Sequence, residues 1–160
     1  MLSRRLARRI ALQVLFTNEF LQEQIESVAH RVTDSIEEKL TPFTLELVTK
    51  TSANEHELND LIRKHLRNWD YQRVAVLDRV LIRMALCEMI HFPDIPVEVT
   101  INEALEISKD FSNLKSRRFV NGILDSIYKE LKLANKLRKN TPIKVPLNRK
   151  KKPQKKGSSE

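Results

Sequence analysis

The stretch from Gln72 to His91 constrains this chain more than any other. Val74, Val76, Leu77, Val80, Leu81, Ile82, Met84, Leu86, Met89 and Ile90 fall at nearly every angle of a helical wheel instead of along one stripe. A helix that is apolar over most of its circumference has to be buried between neighbours. Residues 72–91 are therefore expected to form a central helix, and the rest of the chain must supply helices to cover it.

The flanking sequence has the right period for that. Ile25, Val28, Ala29, Val32, Ile36 and Leu40 share a stripe over residues 25–40, and Leu58, Leu61, Ile62 and Leu66 share another over 55–67. Phe43, Leu47 and Val48 suggest a short helix after Pro42. The segment Phe92-Pro93-Asp94-Ile95-Pro96 ends the central helix, because proline lacks an N–H and restricts the residue before it. Thr100-Ile101-Asn102-Glu103 then reads as a capping box opening the next helix. A last helix carries Val120, Ile123, Leu124, Ile127, Tyr128 and Leu131 at regular spacing. No strand and no internal repeat is apparent. The expected fold class is all-α, a compact bundle of six or seven helices over residues 1–137. After Leu137 the periodicity stops, and Pro142, Pro146 and Arg149-Lys150-Lys151-Lys152 mark residues 138–160 as a basic, disordered tail.

Several function classes drop out on composition. The only glycines are Gly122 and Gly157, whereas phosphate loops and dinucleotide fingerprints need several so that the backbone can approach the phosphates. A single cysteine, Cys87, rules out an internal disulfide and a cysteine-cluster metal site. No apolar run reaches the ~18 residues a membrane helix needs. The N-terminal arginines are not followed by the apolar region of a secretory signal. The expected setting is a reducing cytoplasm, with no cofactor and no membrane partner.

The net charge of +8 is unevenly spread. Residues 1–10 carry +4, residues 129–160 carry +10, and residues 11–128, with thirteen basic and nineteen acidic side chains, carry −6. A mildly acidic body with basic ends reads as nucleic-acid-binding arms on a folded scaffold. Arginine dominates the front, and its planar fork suits phosphate.

On a wheel of helix 3–21, Leu6, Ile10, Val14 and Leu21 cluster on one side, extended by Ala7 and Ala11. Arg4, Arg5, Arg8 and Arg9 take the opposite arc, and Phe16 lies two turns beyond Arg9 on it. Arginines with an aromatic in line suit single-stranded RNA, whose unstacked bases can lie on a ring. The pattern leaves a second reading of Phe16 open, as a packing residue beside Leu12 and Leu15. A second basic cluster, Lys115-Ser116-Arg117-Arg118, opens the last helix, with Gly122 on the Lys115–Arg118 face and Phe119 at the edge of the apolar stripe. A glycine inside a helix costs about 1 kcal/mol against alanine, and close approach by a partner or by a crossing helix would explain it. Glu88 and His91 form an E-x-x-H unit. Di-iron bundles need two such units and more carboxylates, so both residues read as helix-end polar groups, and no constellation asks for catalysis.

Three blocks of this sequence resemble the NusB family. They are R-R-L-A-R-R-I-A-L-Q-V-L-F from Arg4 to Phe16, the run from Trp69 to Glu88 with L-D-R-V-L-I-R-M-A-L-C-E, and I-P-V-E-V-T-I-N-E-A-L-E-I-S-K followed by R-F-V-N-G-I-L-D, covering Ile95–Lys109 and Arg118–Asp125. The likeness spans about residues 3–132 and leaves out the lysine-rich tail. Cys87 stands where relatives often carry an aromatic residue.

The resemblance implies two three-helix bundles, with the arginine-rich helix at one edge. It also implies a heterodimer with the ribosomal protein NusE that binds boxA RNA, joins the RNA polymerase elongation complex and supports read-through of ribosomal RNA operons. Carried over by position, RNA contacts would come from Arg4, Arg5, Arg8, Arg9, Gln13, Phe16, Lys115, Arg117 and Arg118. NusE contacts would come from Asp78, Glu103, Phe111 and Phe119. Two other readings stay open. One is a module related to the N-terminal domains of ribosomal RNA cytosine methyltransferases, which would need a glycine-rich cofactor domain downstream where this sequence has a lysine tail. The other is an interaction scaffold, such as a homodimer that covers the arginine face.

Overall fold

The computed structural model describes residues 2–66 and 71–140. Trp69 and residues 141–160 of the expected tail lie outside the described residues. Seven α-helices occur among those described: α1 (Arg4–Leu21), α2 (Ile25–Ser35), α3 (Pro42–Ala53), α4 (Glu55–Lys64), α5 (Val76–His91), α6 (Val97–Ser108) and α7 (Leu114–Leu133). A short 3-10 turn, Tyr71–Arg73, leads into α5, and no strand is present among the described residues. The all-α bundle expected from periodicity is the fold observed.

Local chemistry sets several helix ends. The Ser3 hydroxyl accepts the Leu6 N–H at 3.1 Å, the Thr41 hydroxyl accepts the Thr44 N–H at 3.3 Å, and the Asn113 carboxamide oxygen accepts the Ser116 N–H at 2.8 Å. Each satisfies one of the donors a first turn leaves unpaired. Pro42 follows Thr41 at the first helical position, where its missing N–H costs nothing. Helix α1 ends at Gln22, which adopts a left-handed conformation with φ 54°.

Three boundaries differ from the sequence reading. The central helix begins at Val76 and not at Gln72, because residues 71–73 form a separate 3-10 turn. Helix α2 stops at Ser35 and not near Leu40, because Glu37 turns the chain with φ 56°. Ile36 is left exposed. Helix α6 starts at Val97 with Pro96 as its cap, so Thr100 lies inside the helix and does not open it. The hydroxyl of Thr100 turns to the core instead, where it donates to Glu88 at 2.6 Å.

Helices α1, α2 and α3 pack on one another, as do α5, α6 and α7. This is the pair of three-helix groups that the family resemblance implied. Helix α5 also packs against α1 and α3, and α4 lies on α5 and α7. Every residue from Val80 to Met89 is buried, including Arg83 and Glu88. Val14, Leu47, Leu58, Ile82, Leu86 and Leu124 are fully enclosed. Contacts with α5 run on past α7. Leu137 is buried, the Lys139 amine donates to the Phe92 carbonyl at 2.8 Å and to the Glu88 carbonyl at 3.4 Å, and the Asn140 N–H donates to the Pro93 carbonyl at 2.9 Å. A lysine at this point satisfies carbonyls that the end of a helix leaves unpaired. Burial also lowers the pKa of its amine.

Candidate nucleic-acid interface

The four N-terminal arginines meet four different environments. Arg4 is exposed, with its guanidinium 4.4 Å from the centre of the Phe43 ring. Arg5 forks onto Glu103 of α6 with bonds of 2.9 and 2.8 Å, while 45% of its side chain stays accessible. Arg9 donates through Nε to Asp110 at 2.8 Å, and the two side chains are about half exposed. Arg8 points inward instead of joining the exposed arc. It is 4% exposed and forks onto the Glu88 carboxylate at 2.8 and 2.9 Å, with the Thr100 hydroxyl on the same carboxylate. Burying a charge is costly unless it is paired, and this trio is well paired.

The sequence reading gave Glu88 and Thr100 other roles and did not include Asp110, although these residues determine what Arg8 and Arg9 can do. A signal for Glu88 was available. An acid in the middle of a helix that is apolar all round must be neutralised by something. Glu88 is thus a core partner and not a helix-end residue. No group of three or more metal-ligand side chains occurs among the described residues. Arg83 on the same helix follows the same rule, pairing with Glu19 at 2.9 Å, Asn59 at 2.8 Å and the Tyr71 hydroxyl at 3.1 Å.

Further along α1, Gln13 is exposed. Phe16 is half-buried and meets the exposed ring of Phe20 edge-on, with centroids 5.2 Å apart. The turn between α6 and α7 links the two basic clusters. Arg9 reaches Asp110 at its start, and Arg117 donates to the Ser112 carbonyl at 3.0 Å. Lys115 and Arg118 extend from the first turns of α7 and are exposed. Of the positions expected to touch RNA, Arg4 and Arg5 lie exposed on α1, Arg9 meets the α6–α7 turn at Asp110, Lys115 and Arg118 lie exposed on α7, and Arg8 is buried beneath α1. The hydrogen bonds from Arg5 hold the Glu103 carboxyl below the usual carboxylate range, and Lys109 does the same for Glu106. These surface acids are ionised at neutral pH.

The residues expected to touch a protein partner divide. Asp78, Phe119 and Lys115 line one cleft of about 250 Å³, together with Arg73, Asn113 and Ser116. Asp78 is 6% exposed and has no hydrogen bond or ion pair among the described residues, and burial pushes its carboxyl pKa up. Phe119 packs partly against the core at the cleft's edge. Phe111 lies half-buried against the core in the α6–α7 turn. Glu103 is not at the cleft but beside Arg5 on the arginine side. Gly122 lies on the exposed side of α7, and a methyl group built there would meet nothing within 4 Å, so no crossing helix accounts for it.

The model of the NusB family matches residues 5–129. The transcription antitermination protein NusB of Bacillus subtilis (strain 168) is 38% identical over 130 residues, covering 81% of this chain and 98% of that one. The protein of the same name from Chloroherpeton thalassium is 38% identical over 142 residues, covering 87% of this chain and 67% of its own length. Among solved structures, T. maritima NusB superposes with a TM-score of 0.73 at 36% identity, covering 81% of this chain and 92% of that one. NusB from the crystal structure of antitermination factors NusB and NusE with double-stranded RNA shares the fold, with a TM-score of 0.73 at 24% identity, 79% of this chain and 96% of that one being covered. No helix among the described residues is long and apolar enough to cross a membrane.

Proposed function

Because this chain belongs to the NusB family of transcription antitermination factors, we propose that it binds boxA RNA as a heterodimer with NusE. The complex would join the RNA polymerase elongation complex in the cytoplasm and support read-through of ribosomal RNA operons. Its role is recognition without catalysis. The observation that carries this reading is the set of basic side chains that α1 and the first turns of α7 present to solvent, with Arg4, Arg5, Lys115 and Arg118 exposed and Arg9 half-exposed where it meets the α6–α7 turn at Asp110. Arginine forks grip phosphates, and the exposed Gln13 and the ring of Phe16 add groups that can meet bases. Arg8 serves this site from below by fixing α1 against α5. In the cleft that it shares with Lys115, the unpartnered carboxylate of Asp78, with Phe119 beside it, fits a cationic side chain of a basic ribosomal protein such as NusE. Phe111 supports that cleft by holding the turn against the core.

The test is RNA affinity as a function of salt. Arg5→Ala combined with Arg9→Ala should weaken boxA binding while leaving the fold intact, since neither arginine is buried and the accessible Arg9–Asp110 pair contributes only about 0–1 kcal/mol. Each lost phosphate contact should also make the log–log salt slope shallower by about 0.7 for a single strand. Unchanged affinity with an unchanged slope would refute the RNA interface. Solution mass with and without boxA RNA distinguishes this reading from a homodimer that covers the arginine face.

A further inference from the structure

Two of the three exposed arginines of α1 are already occupied in the free protein. Glu103 takes both arms of the Arg5 fork, and Asp110 takes the Nε of Arg9. A carboxylate in a guanidinium fork has the geometry and charge of a phosphate edge. The acids come from a different part of the chain than the arginines. Glu103 is in α6 and Asp110 is in the turn after it, and they lie 98 and 101 residues from their partners. The Arg9–Asp110 pair adds little to the fold, because its side chains are 40% and 53% accessible to solvent, and on the Arg5–Glu103 pair the arginine is 45% accessible. Lys109, next to Asp110, is likewise held by Glu106 at 2.9 Å. Arg4 is the arginine of α1 with no carboxylate partner among the described residues.

We propose that Glu103 and Asp110 act as phosphate surrogates, holding Arg5 and Arg9 in the free protein until RNA phosphates displace them. This rests on the RNA-binding reading above. The device raises the threshold for binding. A stray phosphate must compete with a carboxylate already in place, whereas an RNA that also engages Gln13, Phe16 and the Lys115–Arg118 cluster supplies enough contacts to open the pairs. The two acids thereby set the affinity and specificity of the arginine face without being required to touch RNA. Asp110 meets Arg9 through a single bond, so Arg9 opens more readily than Arg5.

Asp110→Asn and Glu103→Gln test this, since each amide keeps an acceptor oxygen and removes only the charge. The probes are a boxA oligoribonucleotide and a shuffled one of the same composition, titrated by fluorescence anisotropy at fixed salt. Each variant should bind RNA about three- to tenfold more tightly, the size expected when a surface ion pair no longer has to be opened before a phosphate takes the guanidinium. Asp60→Asn is the control. Asp60 is an exposed acid on α4, which packs on α5 and α7 and not on the α1 face, so solvent and salt screen it from Arg5 and Arg9. In an Arg9→Ala background the gain from Asp110→Asn should largely vanish, because nothing is left for Asp110 to release. The inference is overturned if Asp60→Asn tightens binding as much, or if the Asp110→Asn gain persists in full without Arg9. It also fails if neither variant tightens binding although the unaltered protein binds boxA. Absence of any RNA binding by the unaltered protein, alone or with NusE, overturns the functional reading and this inference together.

Discussion

Arg8→Ala separates the two jobs that an arginine on α1 can have. In the structure this substitution removes two charge-assisted bonds, of 2.8 and 2.9 Å, from a carboxylate that is 2% exposed, and leaves Glu88 with only the Thr100 hydroxyl at 2.6 Å. Breaking a buried ion pair by deleting one partner costs about 3–5 kcal/mol. The retained Thr100 bond puts the expectation in the lower part of that range, at about 3–4 kcal/mol. For a domain of this size, with an unfolding entropy of about 2 cal/mol/K per residue, 1 kcal/mol corresponds to roughly 3–4 °C. Thermal melting at pH 7, followed by circular dichroism, should therefore show a Tm about 10–14 °C lower. Replacing both partners, Arg8→Met with Glu88→Leu, should recover most of the loss, since no charge is then left buried. A Tm within about 3 °C of the parent, together with weakened RNA binding, would show that Arg8 is a surface contact and refute the account of the buried pair.

Three further substitutions probe α7 and the cleft beside it. Phe119→Ala should weaken NusE binding by about 2 kcal/mol or more, roughly thirtyfold in Kd; a mutant that melts normally and binds NusE normally would remove Phe119 from both core and interface. Asp78→Asn should raise the Tm of the free protein at pH 7 while weakening NusE binding. Burial raises the folded-state pKa of Asp78, so its contribution favours folding at low pH and is lost as pH rises through the folded value, leaving an ionised group that disfavours folding at neutral pH. A lower Tm for the asparagine variant at pH 7 would contradict this. Gly122→Ala should stabilise the free protein by about 1 kcal/mol, since the added methyl meets nothing, and loss of stability in denaturant titration would show that the site is not open.

The bundle could be read from the sequence because helices announce themselves by local period. The central helix, the covering stripes and the proline break all lie within windows of a few turns. The pairing of charges could not be read the same way, because Arg8 meets a residue 80 positions away and nothing in either neighbourhood names the other. A local clue did exist for Arg8. Leu12 and Leu15 follow it at spacings of four and seven, and all three are buried, so α1 has a second inward face that the wheel count assigned to the arginine arc. Thr100 misled for a related reason. Its capping-box pattern is sound locally, but Pro96 had already fixed where the helix begins. At the cleft, the separate readings of Asp78 and Phe119 come together, whereas Glu103 goes to the arginine face because α6 packs beside α1 there.

The distance in sequence between α1 and its acidic partners also sets a clock. A ribosome adding about 5–20 residues per second needs roughly 4–16 s to proceed from Arg8 to Glu88, and somewhat longer to reach Asp110. Helices α2 and α3, which pack on α1 in the finished fold, arrive before α5 and α6. During that interval the nascent chain carries four arginines with no counter-charge in place, emerging beside ribosomal RNA. Helix α1 is thus made well before the acids of α5, α6 and the following turn that pair Arg5, Arg8 and Arg9.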